Sequence, residues 1–571
     1  MSSVPHLLFI CSLALGYLST ISNQPFCSTK MTIAGSLFKT LCLAAIYLIT
    51  RCLLTYFRSP LKKIPGPLLA KFSNVWRFTN HYRQTHIETQ RKLHEQHGDV
   101  VRLGPNMVSL ADENLIKIIY NARGTFLKSD YYSINDALQD GHIIQNIFST
   151  RSNEFHSKRV RPVQKLYSHQ NALYVEEIMD DNLRTLCAQL ESQYMDGASP
   201  GKTCDIADWI SYFAWDFLGD MTWSKRIGFM EEGKDAGDML GTAERVMRYF
   251  SVVGQIPSLD KWLGKNPQWP RSFFKFDDFS TAARFSVERF MERVQHPELD
   301  KGKWDFLNGF LEAKKEFPEL VTDKEIIGYM IINILGGADT LAIVMKATIY
   351  HILQSPSSKN RLIQELHSAQ IPFPASYESI SQLPYLDACI KEGLRMHPVV
   401  GHVLERIVPS TGLVLADGTV IPPGTVVGMN PWVIHYKGSI FGEKPFDFRP
   451  ERWLQAEEEN ASEFEARMKR MKDADMAFGG GNRICIGRPI ALVEVYKVIA
   501  TLFARYEIEL EDSGKEWELH KQWFVWPHKI KVNCEGTNDT MISESILLID
   551  TCISNLNPSL HFHIITAIEE C

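Results

Sequence analysis

Apolar and polar positions along the chain fall into a few separate patterns. Leu7 to Ile21 and Ile33 to Phe57 are almost continuously apolar. The first is short for a membrane span. The second contains no charge except Lys39 and Arg51, so it is long enough to cross a bilayer with its basic residues near the ends, where they reach the headgroups. Arg51, Arg58, Lys62 and Lys63 cluster on its C-terminal side, which places everything that follows in the cytosol by the positive-inside rule. Met31 opens this stretch with a complete span behind it. The expectation is therefore an extension over residues 1–30, a transmembrane anchor over 31–57 and a basic, proline-rich hinge over 58–67 that ends in Ile64-Pro65-Gly66-Pro67.

Short β-like runs follow, Val100 to Leu103 and Met107 to Leu110, with Gly104-Pro105-Asn106 as the turn between them. From about residue 150 to 400 the periodicity is mainly helical. Asp205 to Trp223, with Trp209, Phe213, Trp215, Phe217 and Met221, is apolar on nearly every side and reads as a buried helix. Residues 322–353 carry the longest helical pattern, capped by Thr322 or Asp323 and interrupted by Gly336-Gly337-Ala338-Asp339-Thr340. A last helix is predicted from Ile486 through Ala491, Leu492, Val495 and Val498, with Pro489 in its first turn. One domain is expected over residues 68–534, mainly α with a small β region, and a tail of unassigned role over 535–571.

Composition narrows the class only a little. A chain of 571 residues with 45% hydrophobic and 22% charged residues is an ordinary globular composition, and a net charge of −6 gives no sign of nucleic-acid binding. The eleven cysteines form no Cys-x-x-Cys pair, which argues against a disulfide framework or zinc ribbon and fits a reducing compartment.

The candidate chemistry gathers at Phe478 to Gly487, Phe-Gly-Gly-Gly-Asn-Arg-Ile-Cys-Ile-Gly. Gly479, Gly480 and Gly481 let the backbone approach a flat ligand with no Cβ in the way. Cys485 precedes a helix start, where unpaired N–H groups and the dipole favour a thiolate, the species that binds iron. Taken alone, a lone cysteine is more often buried and inert. Two glycines inside the 322–353 helix cost about 1 kcal/mol each relative to alanine. They lie three and four residues before Thr340, so they open room for a small ligand, with Asp339 and Thr340 at its edge as proton donors; a simple kink would read the same way. Glu392-Gly393-Leu394-Arg395 puts an acid and a base on one helical face, by itself an ordinary ion pair.

Together these segments resemble the cytochrome P450 monooxygenases, with Phe478 to Gly487 as the haem-binding signature. Leu404 to Val408, Ile421 to Val427 and Trp432 to Gly442 look most like the fungal branch typified by pisatin demethylase. The resemblance spans roughly residues 58–534 and implies the P450 fold, a haem b cofactor and Cys485 as axial ligand to its iron. It implies a structural triad of Glu392, Arg395 and Arg452, and cofactor contacts from Phe478, Gly479, Gly487, Arg483 and Arg406. The further propionate contact, a Trp or His four residues before an Arg in the family, is displaced here: His156 is followed by Val160, leaving His156 and Arg161 as candidates. Asp339 and Thr340 match the acid and threonine of the oxygen-binding helix, although Leu341 stands where a second hydroxyl is common. The implied reaction is O2 activation with electrons from NADPH through NADPH-cytochrome P450 reductase. The substrate would be a lipophilic secondary metabolite such as a terpenoid, oxidised at the endoplasmic reticulum membrane by a single-pass protein facing the cytosol. A haem-thiolate isomerase or dehydratase, or a non-catalytic haem protein, stays open on the same residues.

Overall fold

The computed structural model describes residues 29–139, 141–195, 202–266, 280–299 and 304–536, so Leu7 to Ile21 and nearly all of the expected tail lie outside the described residues. The chain forms two units, Met1–Lys62 and Lys63–Cys571. In the first, helix α1 covers Thr29–Arg58. Its segment Phe38–Arg58 is long and apolar enough to cross a membrane and is unburied. Helix segment Asp323–Leu353 passes the same test of length and composition but lies largely within the protein, so apolarity alone does not separate anchor from core.

The second unit combines a small sheet with packed helices. Strands β1 (Val100–Gly104), β2 (Met107–Leu110), β3 (Leu127–Lys128), β4 (Arg406–Ile407) and β5 (Val426–Gly428) form one sheet in the order β1-β2-β5-β4-β3. The expected hairpin joins β1 and β2, and β5 runs parallel to β2. Pro65 O accepts from Arg102 N at 2.7 Å, which ties the hinge to β1. Gly66 fits there with φ +153°, a Cβ at its position lying 2.2 Å from Arg102 O. The Arg102 side chain is fully buried and donates to the Gly104 and Pro105 carbonyls at 3.1 and 2.7 Å, so the strand's charge is held by backbone oxygens.

Five helices carry or support the site: α2 (Asn153–Val160), α3 (Ile206–Trp223), α4 (Asp323–Leu353), α5 (Pro384–Met396) and α6 (Arg488–Arg505). α3 starts where Asp205 accepts from Ala207 N, and nearly all its side chains are buried, which accounts for its lack of a polar face. α4 starts at the Thr322 cap and holds one wide π turn, Ile334–Ala338. α3, α5 and α6 all pack on α4. A terminal strand, Lys531–Gly536, pairs with Tyr506–Leu510 and with Cys204–Asp205, so the folded chain continues two residues past the expected boundary at 534.

The α4–α5 contact depends on one glycine. A Cβ at Gly393 would lie 2.2 Å from Thr348 Oγ1, whose hydroxyl donates to Val344 O at 2.8 Å. Gly393→Ala should therefore destabilise the protein by about 1–3 kcal/mol through overpacking. Thr348→Ala in the same chain should recover most of that loss. Thermal unfolding of the two single variants and the double variant checks this; additive losses would show that the two positions do not press on each other.

Candidate active site

The cysteine loop is shaped by its backbone. Cys485 N donates to Phe478 O at 2.9 Å, closing the loop, and Gly479 N donates to Met476 O at 3.0 Å. Gly479 and Gly481 have φ of +71° and +66°, and a Cβ at Gly481 would lie 2.4 Å from Tyr120 O, so only glycine fits there. The N–H groups of Gly487 and Arg488, at the start of α6, point to the Cys485 thiol and pull its pKa down, but burial outweighs them and the thiol is raised overall. Cys485 also retains accessible surface, so a ligand can reach its side chain. Phe478 is half-buried and lies under the guanidinium of Arg488, 5.6 Å from its ring centroid.

Beside this loop stands a group of buried cations. Lys128 on β3 lies directly opposite Arg406 on β4, and like charges so placed repel. Lys128 Nζ donates to Phe148 O at 2.6 Å, and burial with Arg406 and Arg483 pushes it well below its ordinary pKa. Among the described residues Arg406 donates only to the Glu405 carbonyl and, at 3.5 Å, to Tyr132 Oη. Arg483 donates to Asn153 Oδ1 and Ser152 O, keeps a buried Nη1 without a partner, and is lowered to about 10 by burial and Arg406. His156 on α2 joins them, lowered to about 4 by burial, Arg483 and Lys128. Among the described residues none of Lys128, Arg406 and Arg483 forms an ion pair with a carboxylate. Two buried cations and a half-buried one without an anion among the described residues, the last with an orphaned N–H, fit a ligand that brings its own carboxylates.

Two of the expected placements differ. Arg161, the C-cap of α2, is exposed, because five residues after His156 turn it about 140° round the helix. Lys128 stands with the cations instead. Asp339 does not face the glycine gap: it is buried, accepts from Trp215 Nε1 of α3 at 3.0 Å, and is raised to about 7 by burial, with the Trp215 N–H opposing. Thr340 does remain near the gap, donating to the Gly336 and Gly337 carbonyls at 2.8 and 3.1 Å. The two glycines also divide their roles. A Cβ at Gly337 would lie 2.8 Å from Leu218, so this residue lets α3 approach, whereas a Cβ at Gly336 would meet only Ile332, at 3.9 Å.

Glu392 is fully buried between two guanidiniums. It accepts from Arg395 Nε and Nη2 at 2.8 Å, Arg452 Nε at 2.7 Å, Trp453 Nε1 at 2.8 Å and Arg449 N at 2.9 Å. Burial alone would raise its pKa, but the two arginines hold it below the usual range. Arg395 also donates to His435 O and Pro445 O at 2.8 and 2.7 Å, and Arg452 to Phe441 O. His435 continues the chain of contacts: Nδ1 lies 3.1 Å from Arg395 O, and Nε2 accepts from Met476 N at 2.9 Å, just before the cysteine loop. The sequence gives no functional signal for Lys128 or His435 and marks Trp215 only as part of a buried helix; the roles of all three are defined by partners far along the chain.

Comparison with known proteins gives the class. A family model described as Cytochrome P450 matches residues 54–533, and the chain belongs to that family. It is 35% identical over 478 residues to cytochrome P450 monooxygenase cfoH of Aspergillus candidus, covering 83% of this chain and 88% of that protein. It is 33% identical over 522 residues to cytochrome P450 monooxygenase cicH of Emericella nidulans (89% and 99%), and 35% identical over 496 residues to asR2 of Sarocladium schorii (84% and 93%). The protein is a P450 monooxygenase, and its cofactor is haem b held through a cysteine thiolate.

Glu392→Ala should leave Arg395 and Arg452 as unbalanced buried charge, a loss of about 3–5 kcal/mol. Because the same arginines hold the segment leading to Cys485, the variant should accumulate with little haem. Normal haem content, measured against total protein, would show that this carboxylate is dispensable.

Proposed function

We propose that the chain is a membrane-anchored monooxygenase that takes electrons from NADPH through a flavoprotein reductase and oxidises a lipophilic secondary metabolite, terpenoid-like in character. The observation that carries this reading is the meeting of the Cys485 loop with Lys128, Arg406 and Arg483. This arrangement suits a flat metal macrocycle bearing two carboxylates. Bound through a thiolate, haem iron supplies the activation of O2. Cys485 is the axial ligand in this reading, and the helix-start N–H groups of Gly487 and Arg488 favour its charged form. Lys128, Arg406 and Arg483, with His156 beside them, would hold the propionates, and Gly479 would let the loop lie close to the ring.

Protons are the chain's other contribution. Asp339, held near neutral pKa, can release or take up a proton at physiological pH, and Thr340 Oγ1 orders donors beside Gly336. The Glu392–Arg395–Arg452 triad fixes the cysteine loop. Substrate contacts are assigned to Tyr131 to Phe148, to Ile332 to Gly336 and, in the expected stretch Val399 to His402, to the residues before His402, which is itself turned to His81 and Ser251. Tyr131, Tyr132 and Trp523 form a buried aromatic wall there, with Tyr131 stacked on Trp523 at 5.2 Å, which favours an apolar substrate. Reductase docking is assigned to exposed Lys469, Arg470, Lys472 and Arg488. With α1 as a single-pass anchor, hinge 58–67 leads the catalytic domain into the cytosol at the endoplasmic reticulum.

The test is turnover by the full chain with reductase and NADPH, offered candidate terpenoids, with product followed by mass spectrometry. Oxygenated product in proportion to NADPH consumed is the expected result. Turnover that needs neither NADPH nor O2 would move the assignment to an isomerase or dehydratase. Thr340→Ala should keep haem and NADPH consumption but lower product per NADPH by roughly tenfold or more, with peroxide released in its place. Leu341 offers no second hydroxyl to compensate, and unchanged coupling would remove Thr340 from the proton path.

Cys485→Ser should lose the red-shifted absorption of the reduced, carbon-monoxide-bound form, because only a thiolate donates enough charge to cause it. Retention of that band would transfer the ligand role elsewhere.

A further inference from the structure

Three histidines outside the machinery of the cysteine loop meet inside the protein. His81 belongs to helix Val75–Tyr82, His86 opens helix His86–His97, and His402 follows α5. They are 4%, 1% and 2% exposed, and one ring nitrogen of each lies within 4.8 Å of the others. His81 Nδ1 and His402 Nε2 are 3.1 Å apart, and Ser251 Oγ lies 2.8 Å from that Nε2 and 3.4 Å from that Nδ1. The His81 and His86 rings stack at 4.0 Å.

His86 carries the argument furthest. Among the described residues both of its ring nitrogens are buried with no hydrogen-bond partner, a costly state for a buried donor. The Gly401 carbonyl is near enough to favour its protonated form, yet no bond of ordinary geometry forms; a Gln522 carbonyl faces His402 in the same way. Backbone carbonyls behind imidazoles are the usual outer partners of metal-bound histidines. Burial keeps all three rings neutral, so each carries one lone pair; those of His81 and His402 are engaged with each other and with Ser251, and an ion would replace these bonds.

We propose that His81, His86 and His402 bind one zinc ion, with the Ser251 hydroxyl as the fourth donor. Imidazole nitrogen suits zinc and does not suit calcium or magnesium, and four donors in a closed, buried position are typical of a structural site. Zn–N bonds of about 2.0–2.1 Å set the nitrogens about 3.4 Å apart, so His81 and His402 are already at ligand spacing, while His86 must also turn out of its stack on His81, because a metal lies in the plane of each ring that binds it. Such a site would clasp the two early helices to helix Met239–Val253, which carries Ser251, and to the segment after α5. The other cluster of this kind among the described residues, Glu244 with His520 and His528, is a different case. His520 is raised to about 9 by its bond to Glu244, so its lone pair is taken by a proton.

The experiment uses the haem-loaded full chain, purified without a polyhistidine tag, equilibrated with zinc sulfate, dialysed against metal-free buffer and assayed for zinc and iron together. The expected result is about one zinc per chain in wild type and in His528→Ala. His86→Ala should bind zinc at least roughly tenfold more weakly, with its haem spectrum unchanged. If His86→Ala does not fold, wild type decides alone, since retained zinc should also raise its thermal midpoint. Wild type holding no zinc after dialysis, or zinc lost in His528→Ala and kept in His86→Ala, overturns the proposal.

Discussion

The constraint on which the catalytic unit depends is the burial of one carboxylate, Glu392, among five N–H donors from four residues. A charge taken out of water is tolerated only when its partners are complete, and here its two arginine partners are also bound elsewhere. Arg395 and Arg452 gather the carbonyls of residues 435 to 447, and His435 passes that order to Met476 and the cysteine loop. Local backbone conformation explains the shape of the loop, and this network explains why the loop has one position.

What the sequence disclosed and what it withheld divide by range. The loop around Cys485, the hairpin at Gly104 to Asn106, the buried helix ending at Trp223 and the Glu392–Arg395 pair are local: glycine positions, alternation and helical spacing carry them. Lys128 lies opposite Arg406 only because strands 278 residues apart are neighbours in the sheet. Trp215 meets Asp339 through helix packing that no spacing reveals. Arg161 was a question of register, and five residues along a helix decide against it once the phase of His156 is set. The glycine pair shows the same limit: the sequence marked both as making room, and only the packed structure shows that Gly337 accommodates Leu218 while Gly336 stays open.

Electrostatics separates the two kinds of polar burial in this protein. Glu392 is compensated within the chain, and its neighbours carry structure. Lys128, Arg406 and Arg483 are not, and the cost of holding like charges together in a dry place is retained by the fold for a ligand that brings the opposite sign. The depressed pKa values of Lys128 and Arg483 express that deficit.

The π turn at Ile334–Ala338 accommodates one residue more than an α-helix would need over the same rise. Deleting any single residue from this turn would let α4 become regular at little cost in backbone bonding. Five residues of a π turn rotate the backbone through nearly the same angle as four of an α-helix, so the part of α4 after the turn would keep its phase, with Asp339 still toward Trp215. Only the wall beside Gly336 and Thr340 would change its outline. The turn is thus a place where the helix can gain or lose a residue without disturbing the packing of either half, a route by which relatives could reshape the space beside Thr340 on an otherwise unaltered scaffold.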